Sequence, residues 1–270
     1  NPDVGNGVSF HGVHVSGIAS AISDNGTGVA SVAGNAKLLI VKVGSDDNAS
    51  GIYNGYAGIK YAADHGAQII NCSWGGPGGG LFGQSIIDYA ISKNCLIVAA
   101  AGNAGNDFVD YPAAFKNVMA VANVTGSDVR NNSSNYGYQI DISAPGTSIY
   151  STLANNAYGA LSGTSMATPV VASAAALVKA KFPAYNMQQV GEQLRITSDN
   201  IDNENPGFVG LLGKGRVNVL RAITEASPSI RNQRLTLIDK ANGSILAGDT
   251  LKIFLDLKNF LSSANGLVVN

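Results

Sequence analysis

Charge is what this sequence has least of. Of 270 residues, 17 are Lys or Arg and 18 are Asp or Glu, 13% of the chain, against about 25% in an average soluble domain. With a net charge of −1 there is no cationic field to hold phosphates, which excludes a general nucleic-acid binder or a binder of acidic membranes. Cysteine is nearly absent. Cys72 and Cys95 each lie inside an apolar run, IINCSWG and KNCLIVAAAG, so two buried thiols are expected, with no disulfide framework and no cysteine zinc site. Apolar runs long enough to span a bilayer, about 18 residues, are also missing. Asn1 opens a polar, loop-like stretch, so export requires a leader upstream of it. Disorder is excluded in turn, because 45% hydrophobic content with little charge reverses its signature.

Glycine, by contrast, is plentiful: 33 residues imply many tight turns and close backbone approaches. From Phe10 to about Val124, small-residue helical stretches alternate with short β-branched runs in βαβ rhythm. Helices are predicted near 11–22, 52–65 and 82–93, and strands at 37–44, 67–74, 95–102, 117–124 and 139–146. The first four of these strands are continuously apolar, as strands covered by helices on both faces are, and 139–146 is a further short strand. The segment LSGTSMATPVVASAAALVKAKF reads as a core helix whose alanines permit close packing, with Pro169 near its start, where a missing N–H costs little. Two closing helices are expected at 186–196 and 217–225. After Ser227-Pro228 the pattern turns to strand-like alternation with glycine turns, as at the start of a β-sandwich, and the remaining forty-odd residues are too few to finish one.

Few residues can do chemistry. His11 and His14 stand three apart at a predicted helix start; a zincin would need a spacing of four and an intervening glutamate, and no third ligand is near. Hydrogen-bonded packing histidines are the plain alternative. His65, at a predicted helix end before a glycine, reads as a C-terminal cap. Ser165 in Gly163-Thr164-Ser165-Met166-Ala167 sits where loop becomes helix. A nucleophile gains there from the positive helix end and from backbone N–H groups; an ordinary N-cap is the competing reading. The segment lacks the second glycine of a G-x-S-x-G elbow, which weakens an esterase or lipase of the α/β-hydrolase type. Asn103 ends an apolar strand beside Gly102, placed to donate into a cleft or simply to make a turn. Ser73-Trp74-Gly75-Gly76-Pro77-Gly78 follows another strand, with side chains small enough for an extended peptide to pair with the backbone. No G-K-[ST] follows, so it is not a phosphate loop.

Together these segments, HGVHVSGIAS, IINCSWGGPGG, IVAAAGN, YPAAFKNVMAVANV, DISAPGTSIYSTL and ALSGTSMATPVVASAAALVKAKFP, resemble the subtilisin-like serine proteases. The histidine-to-serine separation of about 154 residues and the histidine-to-asparagine separation of about 92 agree to within a few residues with the family's type member. The resemblance implies an α/β fold of three layers with a mostly parallel central sheet over residues 1–226, followed at 227–270 by a linker and the beginning of a β-sandwich-like domain. It implies secreted or cell-surface endopeptidase activity through an acyl-enzyme, with polypeptides as partners, a monomeric state and no cofactor for catalysis. Ser165 would be the nucleophile, His11 the general base, and Asn103 a donor to the oxyanion, with His14 packing nearby. Ser73, Trp74 and Gly75 would form one wall of the substrate groove, and Ala100, Ala101 and Gly102 the floor or opposite wall of a roomy, apolar specificity pocket.

The family's catalytic aspartate lies about 32 residues before the histidine, which falls before Asn1. Asp3 stands too close to His11 for that role and Asp141 lies in another segment. The chain as given therefore carries a dyad, and a peptide-binding pseudoprotease is the alternative to an active enzyme. Val13 and Val170 depart from the family's usual threonine and histidine without touching the chemistry. Structural calcium stays open: SDNGTG at 23–28 offers oxygens, but fewer than the six to eight ligands calcium takes.

Overall fold

A computed structural model describes residues 10–45, 51–239 and 251–264; Asp3 lies outside them. The chain divides into two compact units, Asn1–Thr224 and Glu225–Asn270.

The continuous apolar runs become a four-stranded parallel sheet. Its strands β1 (Ile69–Cys72), β2 (Leu96–Ala100), β3 (Met119–Val124) and β4 (Ile142–Pro145) lie side by side in chain order. Period-two alternation splits each run between two apolar layers. From β2 and β3, Ile97, Ala99, Ala120 and Ala122 face α2 (Gly55–Asp64) and α3 (Leu81–Ser92), packing with Ile59, Ala62, Ile87 and Ala90. Leu96, Val98, Met119 and Val121 face the other way, onto α4 (Thr164–Lys181), α5 (Met187–Ile196) and α6 (Val219–Thr224). Both thiols are buried as expected, and burial pushes the Cys72 thiol up to about 12.

Two sequence expectations need correction. KLLIVKVG at 37–44 forms no strand; its pairing is a single bridge, Gly44 to Ile52. Val41 and Val43 do turn inward against α2, where a Cβ on Gly58 would meet Val43, but Leu38, Leu39 and Ile40 are exposed. Strand propensity makes a strand only where a neighbouring ladder accepts it, and among the described residues the sheet begins at β1. Conversely, the polar stretch after Pro145 holds an antiparallel hairpin, β5 (Ile149–Thr152) with β6 (Tyr158–Leu161). Its turn carries Asn155 and Asn156 at φ of 60° and 55°, the left-handed region asparagine tolerates.

That hairpin fastens α1 (His11–Ser20). Ser151 Oγ donates to His14 O at 2.8 Å and Thr152 Oγ to Val13 O at 2.8 Å, while α1 also packs on α4. Gly17 permits the contact, since a Cβ there would strike both hydroxyls and crowd Thr152 N at 3.2 Å. In the second unit, β7 (Ile230–Asp239) and β8 (Leu251–Asn259) pair antiparallel; Leu235, Leu237, Ile253 and Phe254 are exposed on this ribbon.

Gly17→Ala is expected to push the Ser151 and Thr152 hydroxyls off their acceptors and destabilise the fold by about 1–3 kcal/mol, read as a lower midpoint in urea unfolding with an unchanged slope.

Candidate active site

The carboxyl ends of all four parallel strands converge on the first turn of α4. Ser73 follows β1, and its backbone carbonyl accepts from Ser165 Oγ at 3.1 Å. Asn103 follows β2, and its Oδ1 accepts from Thr164 N at 2.9 Å and Thr164 Oγ at 3.1 Å. Gly146 follows β4: its N–H donates to Val124 O at the end of β3, and its carbonyl accepts from Gly163 N at 2.8 Å. Open parallel sheets place ligand sites at this edge.

Ser165 is not an N-cap. The cap residue is Gly163, which has no side chain to offer, and Ser165 is the second helical residue. Its environment follows from Pro169, which lies in the second turn of α4 and not among the free N–H groups of the first. Lacking an N–H, Pro169 cannot bond the carbonyl of Ser165 four residues earlier. Ser73 Oγ supplies the missing donor at 2.8 Å and itself accepts from Asn71 Nδ2 at 2.9 Å. Ser73 and Ser165 are thus joined twice, hydroxyl to carbonyl in each direction.

Asn103 is exposed and turned one way. With Oδ1 held by Thr164, its Nδ2 has no partner among the described residues and remains a free donor beside the helix start. Thr164 is itself buried, and its hydroxyl accepts from Gly102 N at 3.3 Å.

Among the described residues, no hydrogen bond joins His11 to this group. As the first residue of α1 it is exposed, and among the described residues no group hydrogen-bonds its ring. Protein atoms crowd the imidazole enough to make its charged form costly: burial first, then the neighbouring His14, hold its pKa below the ordinary value. No carboxylate among the described residues opposes that shift. His14 is fully buried and donates from Nε2 to Gly159 O at 3.1 Å, while its Nδ1 finds no partner. It is the packing histidine of the sequence reading. His65 caps α2, with Nδ1 donating to Tyr61 O at 2.8 Å and its ring stacked on Tyr61.

The expected walls divide their labour. The Ser73 side chain is committed to Ser165, and the Trp74 indole packs against Gly55 and, edge to face, against Tyr56 at 5.9 Å. Ala101 lies in the core layer and Ala100 is buried. Backbone, with Gly75 and Gly102, is what these segments present. Sequence reading missed Asp110, whose carboxylate abuts Gly102; its sign was an acid in an otherwise uncharged apolar and aromatic stretch. In the 23–28 loop, Asn25 Oδ1 accepts from Thr27 N at 3.0 Å, Asp24 is the only carboxylate, and no cluster of three or more His, Cys, Asp or Glu able to hold a metal occurs among the described residues. The loop by itself does not complete a calcium sphere. No helix among the described residues is long and apolar enough to cross a membrane.

The model of the subtilase family matches residues 1–215. Thermitase of Thermoactinomyces vulgaris is 41% identical over 223 residues, covering 82% of this chain and 76% of the relative. A cell wall-associated protease of Bacillus subtilis (strain 168) is 37% identical over 279 residues, 95% of this chain and 31% of that protein. Among solved structures, a protease from Pseudoalteromonas arctica PAMC 21717 superposes with a TM-score of 0.69 at 32% identity, covering 79% of this chain and 70% of that one.

Two outcomes follow from the geometry. Ser73→Ala leaves the Ser165 carbonyl without a donor and should cost about 1–3 kcal/mol; a thermal midpoint equal to the parent's would show that the reciprocal bond contributes nothing. His11 should titrate, by the NMR shift of its ring C–H, below the ordinary 6.5. Its folded form binds fewer protons than its unfolded form, so its share of stability is complete above about 6.5 and is lost as the pH falls toward the folded value. A midpoint above 6.5 would require a carboxylate partner from outside the described residues.

Proposed function

Because the chain belongs to the subtilase family and is a subtilisin-like serine endopeptidase, we propose that it cleaves polypeptides through an acyl-enzyme with Ser165 as nucleophile and His11 as general base. One observation carries the assignment: Thr164 fixes Asn103 Oδ1, leaving Nδ2 as an unpartnered donor beside Ser165.

In this mechanism the Ser165 hydroxyl rotates from the Ser73 carbonyl, where it rests, toward the substrate carbonyl and the His11 imidazole. His11 takes the hydroxyl proton as the Ser165 oxygen bonds to the carbonyl carbon. The negative charge then develops on the former carbonyl oxygen, within reach of Asn103 Nδ2 and the Ser165 backbone N–H, which has no intrahelical acceptor at the start of α4. His11 returns the proton to the leaving amine, and a water activated by the same imidazole releases the acyl group. The lowered pKa keeps His11 neutral, and so able to accept a proton, further into the acid range. Among the described residues no carboxylate stabilises the imidazolium formed in the transition state. A carboxylate at its other nitrogen would supply about four orders of magnitude.

The second reading is a peptide-binding module of little or no turnover, since among the described residues no group hydrogen-bonds the His11 ring. In either form the partners are polypeptides, the chain acts as a monomer, nucleic acid is not bound and catalysis needs no cofactor. The likeness to a cell wall-associated protease supports a place outside the cytoplasm.

Hydrolysis of casein or a chromogenic peptide is expected to vanish in Ser165→Ala, and Asn103→Ala to lower turnover about 100- to 1000-fold. Hydrolysis unaffected by Ser165→Ala overturns the assignment. Peptide affinity without turnover selects the binding module.

A further inference from the structure

We infer that Asp110 closes the far end of the substrate slot and selects peptides with Lys or Arg on the acyl side of the scissile bond. The inference rests on the peptidase reading for its substrate and on the following geometry for its residue.

β1 and β2 pair in parallel as far as Cys72 with Ala99. Beyond that register their extensions carry Ser73 to Gly76 on one side and Ala100 to Gly102 on the other. Asp110 and Tyr111 run between the two extensions and are bonded to both. Asp110 N donates to Ala101 O at 2.9 Å, while Tyr111 and Gly76 exchange backbone bonds at 3.0 Å in each direction. The slot is therefore bounded by two glycine-bearing walls, with Ser165 at one end, bonded to Ser73, and Asp110 at the other. From Ser73 to Gly75 the wall extends two residues, roughly 7 Å at strand rise, a span suited to an extended Lys or Arg side chain.

The carboxylate occupies the end wall closely. A Cβ on Gly102 would lie 2.5 Å from Asp110 Oδ2, and one on Gly75 would lie 3.0 Å from Asp110 Cβ. Gly102, at a φ of 109°, is in a conformation that glycine alone adopts readily, and any side chain there would separate the slot from the carboxylate. Among the described residues, nothing ion-pairs or hydrogen-bonds the Asp110 carboxylate. The nearest amide, Asn135 Nδ2, spends its hydrogens on Ala101 O at 3.2 Å and Phe108 O at 2.8 Å. Asp110 is half-buried, and its pKa is raised by burial with no opposing cation. A half-buried acid without a partner is destabilising unless something cationic completes it. A guanidinium or ammonium reaching down the slot does so with charge-assisted hydrogen bonds. The small-residue walls alone suggest an apolar pocket, and the acid at their end reverses that preference.

The test is hydrolysis by the full chain of two peptides that differ only in Arg or Phe before the scissile bond. The expected kcat/KM ratio favours Arg by about 10- to 100-fold, the range of one charged hydrogen-bonded contact, and Asp110→Asn collapses it through the loss on the Arg peptide. A native ratio favouring Phe overturns the proposal whether or not the variant folds, and so does a folded Asp110→Asn with the ratio intact. If neither peptide is cleaved, it is the catalytic reading that fails, and calorimetric binding of Ala-Ala-Arg against Ala-Ala-Phe decides Asp110 separately. Tighter Arg binding that is lost in Asp110→Asn supports it, and equal affinities overturn it.

Discussion

Burial of β2 and β3 on both faces is the constraint from which the rest of this structure follows. Strands with no polar face need helices above and below, and parallel pairing brings every strand's carboxyl end to one edge of the sheet. The helix that covers the second face is α4, nearly all small and apolar, lying across all four strands. Its amino end therefore meets Ser73, Asn103 and Gly146 together. The candidate site is a consequence of how the sheet is covered.

At that meeting point a local defect becomes useful. Pro169 costs α4 one internal hydrogen bond, and the carbonyl so released belongs to Ser165. Ser73 Oγ restores the bond from another strand, tying the helix start to the end of β1. Thr164 ties it to the end of β2 through Asn103 and Gly102. Two adjacent residues of one helical turn thus hold Ser165, the proposed nucleophile, and the Asn103 amide to the sheet. α1 is held from the opposite side, by the β5–β6 hydroxyls. His11 sits at the free end of that helix, and no bond among the described residues joins it to Ser165.

Much of this was legible beforehand. Continuous apolar runs announced β1 to β3, a further short strand at 139–146 announced β4, and small-residue periodicity announced the helices within a few residues. Ser165, Asn103 and Ser73 were named from motif and spacing, and the structure brings these three to one place. The 37–44 run misled because propensity cannot supply a neighbouring strand. The β5–β6 hairpin was missed because its strands are only four residues long, although the Asn155-Asn156 pair marked its turn. Pro169 was read as lying where a missing N–H costs little, which hid its link to Ser73.

Composition and order along the chain determined the class of fold, the covering of the sheet and the identity of the residues able to do chemistry, because burial and backbone pairing act on residue type and period. Which of those residues face one another was decided only in three dimensions. The Ser73–Ser165 exchange joins positions 92 apart, and half-buried Asp110, unpartnered among the described residues, lies against two glycines, Gly75 and Gly102, that follow different strands. Such contacts lie between elements, where no periodicity within either element encodes them.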